Sequence, residues 1–284
     1  MIKTIYRLED VIDFVWELSQ NDLSAGYPRK KSMTEIKECI ERAIQADCEN
    51  IIAYYDQNVL CGVCIYHWLC DEKYAQTTQL LISCDYDQIA DEIIGYISEQ
   101  LAGYSLLIPL PFTNINANGY FKKRNIECTE AHIDTRLYNL ELHTNQKHDC
   151  VERITENNFE EYAIFHDKYA IPLEMYYNSK NLKMDMERFR VLVFREGDAI
   201  CGSIFVKVVR DIAEVFGLFV DEECENEDIG SILINEMIMQ LYNEFGTIKE
   251  ILYFIEEECT DELNTVLRAG FEINGRPRTY KCIL

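Results

Sequence analysis

The sequence predicts an α/β fold in which two consecutive domains each carry a mixed β-sheet flanked by helices. Its length of 284 residues exceeds that of a typical single domain. It also repeats internally: segments 51–66 (IIAYYDQNVLCGVCIY) and 191–206 (VLVFREGDAICGSIFV) share an apolar run, a polar turn, a Cys-Gly pair and further apolar residues. The same offset of 140 residues (201 − 61) aligns Ile89 with Ile229. We interpret the chain as a tandem duplication.

The first half is predicted to form two helices followed by a sheet with one further helix, and segment 114–125 (NINANGYFKKRN) is interpreted as a polar connection before the last strand. Apolar residues recur at helical spacing from Leu8 to Leu18, and Ser32 with Glu35 forms a capping box before the second helix. The remaining elements are predicted as strands at 51–55, 59–69 and 75–83, a helix over 88–102, a strand over 104–110 and a strand near 131–140.

The second half repeats this order, and the polar segment 141–150 is predicted to link the halves. Thr155 or Asn157 is the expected N-cap of its first helix, and segment 171–186 has little periodicity. The later elements are predicted as strands at 190–196, 199–209 and 212–220, a helix to about 243, a strand over 249–256, a helix over 260–268 and a strand over 278–284. The predicted domains are therefore 1–142 and 150–284.

The net charge of the chain disfavours some kinds of binding partner and favours others. Lys and Arg total 27 against 50 Asp and Glu, a formal charge of −23, which would repel nucleic acid and anionic membranes and attract a cationic substrate. No apolar run approaches the roughly 18 residues of a membrane span, and the first 18 residues do not resemble a secretory signal. We expect a cytoplasmic protein that binds neither nucleic acid nor membranes; its oligomeric state is open.

Twelve cysteines are present, and without an export signal they are expected to be reduced and mostly buried. Cys61, Cys64, His67 and Cys70 are spaced by three residues, but they lie in a strand-like run where residues three apart point to opposite faces. Packing is therefore favoured over zinc, which needs four converging ligands, and no metal site is predicted. A Cys-dependent hydrolase is disfavoured because neither Cys61 nor Cys201 has an evident His partner.

The hairpin 196–206 (EGDAICGSIFV) and the strand, loop and helix of 213–234 (AEVFGLFVDEECENEDIGSILI) resemble the GNAT family of acetyl-CoA-dependent N-acetyltransferases. The resemblance covers nearly the whole chain as two copies. In that family a strand supplies backbone groups to the pantetheine arm, and a following loop, Arg/Gln-x-x-Gly-x-Gly/Ala, wraps the pyrophosphate. Here Gly230 matches the last small position, whereas Asp228 replaces the first glycine and Glu225 replaces the Arg or Gln.

The first copy departs further from the family's loop. Its three loop positions hold Asp85, Gln88 and Ala90. It resembles the family's later Asn-x-x-Ala-x-x-x-Tyr-like segment more closely, through Asn114, Ala117 and Phe121. Phe121 stands where the family often has a Tyr acting as general acid, and Val266 stands there in the second copy. The resemblance implies that the second copy is the better candidate for acetyl-CoA binding.

The resemblance implies an N-acetyltransferase that moves an acetyl group from acetyl-CoA to a primary amine of a small, cationic acceptor. The implied acetyl-CoA-binding residues are Leu218, Val220, Ile229, Gly230 and Ser231. Glu214 is the candidate catalytic base, although strand alternation alone also explains a polar residue there. The alternative is a non-catalytic binding or regulatory protein of the same fold, since Glu225, Glu227 and Asp228 would oppose a phosphate at the helix start.

Overall fold

The computed structural model describes residues 1–138, 140, 148–170, 175–224, 228–246 and 248–284. Its strands are β1 (Ile2–Thr4), β2 (Glu49–Asp56), β3 (Val59–Leu69), β4 (Tyr74–Ile82), β5 (Ser105–Pro111), β6 (Cys128–Tyr138), β7 (Val151–Arg153), β8 (Phe189–Glu196), β9 (Ala199–Val209), β10 (Ile212–Val220), β11 (Glu250–Glu256), β12 (Glu272–Gly275) and β13 (Pro277–Ile283). Its α-helices are α1 (Ile12–Gln20), α2 (Met33–Gln45), α3 (Tyr86–Gln100), α4 (Ile115–Lys123), α5 (Phe159–Tyr169), α6 (Ser179–Met184), α7 (Ile229–Phe245) and α8 (Thr260–Arg268). Within these residues, no helix has the length and apolar character needed to cross a membrane.

The described residues pack into two compact units. The first holds Met1–His132 with Arg276–Leu284, and the second holds Ile133–Gly275. The predicted domains 1–142 and 150–284 place the last strand in the second half. In the structure, β13 instead pairs antiparallel with β5 over its whole length and so lies in the first unit. This long-range pairing leaves no local signal in the sequence. Of the predicted linker 141–150, residues 141–147 lie outside the described part of the chain.

In the first unit the strand order is β1-β2-β3-β4-β5-β13, followed by the first residues of β6. Apolar side chains form a core on each face of this sheet, one beneath α3 and α4 and one beneath α1 and α2. Of the two hydrogen bonds that define a capping box, the structure shows the one that the Ser32 side chain accepts. Ser32 Oγ accepts from Glu35 N–H at 3.2 Å, whereas the Glu35 carboxylate accepts from Lys31 N–H at 3.1 Å.

In the second unit the later residues of β6 precede the order β11-β10-β9-β8-β7, and β12 pairs with β6. Cores again form on both faces, one beneath α7 and α8 and one beneath α5 and α6. Helix α5 begins after Asn158, so the predicted caps Thr155 and Asn157 are wrong. Helix α6 was not predicted within 171–186. Its six residues are too few to show periodicity, and Asn178 caps it by accepting from Asn181 N–H at 3.0 Å.

The repeated Cys-Gly pair has the same packing role in both units. A Cβ added to Gly62 would lie 3.0 Å from Ile89 Cγ2, and one added to Gly202 would lie 2.6 Å from Ile229 Cγ2. Each glycine thus admits an isoleucine from the first turns of the helix above it. The 140-residue offset seen in the sequence therefore corresponds to one repeated contact between strand and helix.

We expect Gly202→Ala to destabilise the protein by about 1–3 kcal/mol, because an overpacked core must shift side chains or backbone. The new Cβ would also lie 3.1 Å from the carbonyl oxygen of Phe219, which cannot rotate away. Gly62→Ala is the matched comparison, since the nearest atoms there belong to flexible side chains. Urea unfolding of both variants should show the larger loss for Gly202→Ala, and equal losses would contradict this packing argument.

Candidate functional site

The second unit contains an opening where β10 separates from β11. Parallel pairing joins residues 212–215 of β10 to residues 250–253 of β11. Antiparallel pairing of β10 with β9 continues to Val220, past a β-bulge at Phe216. A bulge bends its strand and increases the local twist. Because the end of β10 stays with β9, it diverges from β11 beyond the bulge.

The backbone groups of Leu218 and Val220 face this opening. Asp221 N–H donates to Cys201 C=O at 2.8 Å, and this bond shows which alternate residues at the end of β10 hydrogen-bond to β9. Because antiparallel residues alternate in the direction of their N–H and C=O groups, Phe219 and Gly217 bond to β9. Leu218 and Val220 therefore direct their polar backbone atoms to the other edge, as a strand that binds an extended amide chain must do.

Helix α7 begins beside this edge. Its first intrahelical bond, from Ile232 N–H to Asp228 C=O, is 2.9 Å long, so the N–H groups of residues 229–231 have no carbonyl partner within the helix. A Cβ added to Gly230 would lie 3.5 Å from Leu218 Cδ2, which places the predicted residues Gly230 and Leu218 side by side. Ile229 is fully buried and serves packing, whereas Gly230 and Ser231 are half-buried.

The acidic loop before α7 is described only in part. Glu225 and Glu227, which the sequence places next to the helix start, lie outside the described residues. Asp228 occupies the N-cap position without a side-chain capping bond. A carboxylate at this position interacts favourably with the positive end of the helix dipole, so it competes with any other anion for that end.

Glu214 lies on the face of β10 opposite α7. Its neighbours Ala213 and Val215 are buried in the core beneath α7, so strand alternation directs Glu214 to the other face. The side chain is half-buried, and this burial raises the pKa of the carboxyl, while the charges of Arg136 and Lys207 lower it in part. Among the residues that the structure describes, none makes a hydrogen bond or ion pair to the Glu214 carboxylate. Glu214 is therefore a carboxyl whose pKa is raised by burial and whose oxygen atoms are available to accept a proton.

The two cations near Glu214 are held by other carboxylates. Lys207, opposite Glu214 on β9, donates to Asp185 Oδ2 at 2.9 Å and to the Tyr177 hydroxyl. Arg136 donates to Glu250 Oε2 at 3.0 Å. Both cations therefore act on Glu214 through space, and neither blocks its oxygen atoms with a direct bond.

Aromatic rings line the face that carries Glu214. The Tyr177 ring packs edge-on against Phe216 and Phe189 at 5.1 and 4.7 Å between centroids. His166, for which the sequence offered no role, is fully buried and holds this wall in place. Its Nε2 lies 2.7 Å from the carbonyl oxygen of Tyr177, and its Nδ1 lies 2.8 Å from the Tyr162 hydroxyl. This face offers aromatic surface and carboxylates, a combination suited to a cationic molecule.

Tyr253 and Glu262 are polar residues at the opening that sequence reasoning missed. The Tyr253 hydroxyl donates to Glu262 Oε1 and accepts from the backbone N–H of Leu218. Burial, followed by the Glu262 charge, raises the pKa of Tyr253, and burial raises the pKa of Glu262. Val266, the position aligned with the family's Tyr, is fully buried in the apolar core. The hydroxyl at this opening thus comes from β11 instead of α8.

A disulfide joins Cys201 to Cys224, so the expectation that all cysteines are reduced is wrong for this pair. The Cα atoms are 5.9 Å apart, within the range that disulfides require. Cys224 lies in the turn that follows β10 and Cys201 lies on β9, and their separation of 23 residues gives no sign of this contact. The bond attaches the loop before α7 to the sheet.

No protein-family model matches the sequence, and no curated protein matches it significantly. Solved structures do match it. A GCN5-related N-acetyltransferase from Sphaerobacter thermophilus is 9% identical with a TM-score of 0.69, covering 99% of this chain and 95% of that chain. A tandem GNAT protein from the clavulanic acid biosynthesis pathway is 12% identical with a TM-score of 0.54, covering 100% and 98%. This chain has the GNAT fold. A GNAT-family acetyltransferase from Colwellia psychrerythraea, 12% identical, matches at a TM-score of 0.50 and covers 99% of both chains.

In the first unit of this GNAT fold the corresponding opening is filled by the chain itself. Parallel pairing of β4 with β5 ends at Gln76 and Leu107, and a bulge in β4 follows. The segment 24–26, between α1 and α2, is buried there. Gln79 Nε2 donates to Pro28 C=O at 3.0 Å, and Asn114 Nδ2 donates to Ala25 C=O at 3.1 Å. These bonds anchor the segment across the diverging strands.

The first-unit residues that resemble cofactor-contacting positions serve packing and capping. Asn114 Oδ1 caps α4 by accepting from Ala117 N–H at 3.0 Å, and the Phe121 ring stacks on Tyr280 at 4.5 Å. Only residues 83–85 separate β4 from α3, so this unit has no room for a loop that wraps a pyrophosphate. Ala90 is fully buried. The opening of the first unit is therefore bridged by its own chain.

Proposed function

We propose that the second unit transfers an acetyl group from acetyl-CoA to the primary amine of a small cationic acceptor in the cytoplasm. One observation carries this proposal: the opening between β10 and β11 has exposed backbone donors and a helix start on one side of the sheet and the half-buried Glu214 on the other. Such an opening would let a thioester reach through the sheet toward an amine. The GNAT fold of the chain supports the same class of reaction.

The donor set of this opening fits acetyl-CoA. Val220 presents its N–H and C=O groups and Leu218 its C=O group to an extended amide chain, while the Leu218 N–H is held by the Tyr253 hydroxyl. Gly230 and Ser231 present N–H groups to a phosphate. Ile229 anchors the helix that carries those donors. Acetyl-CoA bound there would supply the activated acetyl group, and the remaining chemistry would fall to side chains of this unit.

Glu214 acts as the base in this proposal. A primary amine is protonated in water and must lose a proton before it can attack a carbonyl carbon. The Glu214 carboxylate would take that proton directly or through water, and a pKa raised by burial makes it a stronger base than an exposed Glu. The aromatic wall of Phe216 and Tyr177 would hold the cationic acceptor near this carboxylate.

Tyr253 is the proposed proton donor to the departing sulfur. Its hydroxyl carries one proton, which it donates to Glu262 in this structure and which would turn to the sulfur as the thiolate leaves. We expect Tyr253→Phe to lower the transfer rate by about tenfold, a modest effect because a thiolate is a good leaving group. Calorimetry should show acetyl-CoA binding retained. Leu263→Met on α8 is the matched core control, and an equal rate loss in both variants would remove Tyr253 from the mechanism.

Binding is tested by thermal unfolding with and without acetyl-CoA. A ligand that binds the native state at 100 times its Kd stabilises it by about 2.7 kcal/mol, so the wild-type Tm should rise. Gly230→Val should abolish the rise, because the added methyl groups would stand where the phosphate approaches the helix start, next to Leu218.

Gly95→Val is the control for helix propensity, since Gly95 on α3 has open space around it and lies in the other unit. Its Tm should still rise with acetyl-CoA. An unchanged wild-type Tm at millimolar acetyl-CoA, or a rise that survives in Gly230→Val, would count against the proposed binding site.

A non-catalytic role is the second candidate, and the first unit favours it. The bonds from Gln79 to Pro28 and from Asn114 to Ala25 close the opening of that unit, so its fold serves as a scaffold or binding surface. If neither acetyl-CoA binding nor turnover is found across a panel of amines, this description extends to the whole chain.

A further inference from the structure

A cysteine pair recurs in both units with the spacing of the internal repeat. Cys61 and Cys201 belong to the repeated Cys-Gly motifs, and Cys84 and Cys224 are separated by the same 140 residues (224 − 84). Each pair spans 23 residues. In each unit the first cysteine lies on the strand beneath the central helix and the second lies just before that helix.

In the second unit this pair is oxidised. Cys224 N–H donates to Asp221 C=O at 3.1 Å, which forms a turn after β10 and brings Cys224 back over Cys201 on β9. The disulfide therefore closes the base of the loop that leads into α7.

In the first unit the corresponding thiols meet without a disulfide. Ser83 N–H donates to Cys61 C=O at 3.0 Å, the same ladder bond that Asp221 makes to Cys201. The next residue is Cys84, which lies close enough to Cys61 to act on its thiol. In this structure Cys61 Sγ donates to Val59 C=O at 3.4 Å, and Cys84 Sγ accepts from the Ser83 hydroxyl at 3.8 Å. Cys61 is buried and Cys84 is exposed, and both are free in this structure.

A carboxylate lies near each cysteine pair. The two carboxylates, Asp56 and Glu196, are separated by the repeat offset of 140 residues (196 − 56). A Glu196 carboxylate oxygen lies within 4.8 Å of the sulfurs of Cys201 and Cys224. The Asp56 charge acts on the Cys61 thiol. Burial and the nearby negative charge disfavour a Cys61 thiolate, so Cys61 keeps its proton until a mixed disulfide has formed beside it, and the exposed Cys84 is the thiol that meets an oxidant first.

We propose that Cys61 and Cys84 form a second, reversible disulfide by exchange with a small-molecule disulfide such as oxidised glutathione. The exposed Cys84 thiolate attacks one glutathione sulfur, which forms a mixed disulfide and releases one glutathione thiolate. Cys61 then loses its proton and attacks Cys84 Sγ, which forms the protein disulfide and releases the second glutathione. Two protein thiols are oxidised, one glutathione disulfide is reduced to two thiols, and the protons pass to the released thiolates.

This exchange would give both units the same covalent bond between sheet and helix start. Cys84 directly precedes Asp85, the residue that begins α3 in a left-handed conformation with φ of 43°. The bond would attach the start of α3 to β3, as the Cys201–Cys224 bond attaches the loop before α7 to β9. The cysteine repeat is then a redox-sensitive device built into the duplicated fold.

The test is to incubate the full chain with oxidised glutathione, block the remaining thiols by alkylation and map the peptides by mass spectrometry. A peptide pair joined through Cys61 and Cys84 is expected, with an intact mass lower by two hydrogen atoms, and reduced glutathione should reverse it. Cys84→Ser should lose the cross-link, whereas Cys70→Ser, which removes another exposed thiol, should retain it. Circular dichroism would show that both variants are folded.

Two results would overturn the proposal. One is a lasting glutathione adduct on Cys84 with Cys61 still open to alkylation after unfolding. The other is stoichiometric zinc bound by the reduced wild-type protein and lost in Cys84→Ser, which would assign the cysteines and Asp56 to a metal. Cys61→Ser provides a second variant, in which Cys84 should accumulate the mixed disulfide because no resolving thiol remains.

Discussion

Glu214→Gln is expected to lower the rate of acetyl transfer by about 10²–10⁴, the usual contribution of a positioned general base. Glutamine keeps the size of the side chain and cannot accept the proton. The affinity for acetyl-CoA should stay unchanged in calorimetry, because Glu214 lies on the face of β10 opposite α7. A combined loss of affinity and rate would indicate a structural role instead.

The pH profile gives a second readout for Glu214. The base works as a carboxylate, so the rate should rise as pH rises through the pKa of Glu214. Burial places that pKa above the ordinary range of Glu, so the rising limb should lie above about pH 4.3. This limb should vanish in Glu214→Gln. A mutant with wild-type rates at every pH would exclude Glu214 from the reaction.

The first unit provides a natural control for this experiment. Gln76 on β4 pairs with His67 as Glu214 on β10 pairs with Lys207, so the first unit already carries Gln at the corresponding position. Gln76→Glu should leave the transfer rate unchanged, because the segment 24–26 closes that opening. A gain in rate would show that the first unit is also able to bind substrates.

The repeat made most of the fold predictable from the sequence. The shared Cys-Gly motifs and the apolar positions above them, such as Ile89 and Ile229, report one strand-to-helix contact made twice. The strands and helices between these anchors follow from alternation and helical spacing. The final strand was also predicted, but its partner β5 was not, because pairing between residues so distant in sequence has no local signature.

The candidate site was less predictable for the same physical reason. Leu218 and Gly230 are near each other in the chain, and the structure brings them side by side. Tyr253 joins them only because β11 pairs in parallel with β10 and places its hydroxyl at Leu218. The Cys201–Cys224 contact depends on a turn at the end of β10, which spacing alone does not reveal.

Replacing Arg136 with Met is expected to cost about 3–5 kcal/mol of unfolding free energy, since it removes the guanidinium that is bound to a buried carboxylate. Arg136 holds Asp134 through two bonds, Nε to Oδ1 at 2.6 Å and Nη2 to Oδ2 at 3.0 Å. The Asp134 side chain is only 1% exposed, so water cannot replace the guanidinium. Asn274 Nδ2 at 2.8 Å would remain as a neutral donor, which compensates poorly for a lost cation.

The double variant Asp134→Asn/Arg136→Met separates the buried charge from the lost packing. It removes the charge of the fully buried Asp134 and leaves only Glu250, whose side chain is 16% exposed, without the guanidinium. It should therefore recover more than half of the loss in urea unfolding, because the cost of a broken buried pair lies mainly in the charge left behind. Lys37→Met, which breaks the exposed pair with Glu41, should cost no more than about 1 kcal/mol. Arg136 also lowers the pKa of Glu214, so Arg136→Met should move the rising limb of the rate profile to higher pH. A double variant as unstable as Arg136→Met would place the cost in packing and contradict the electrostatic argument.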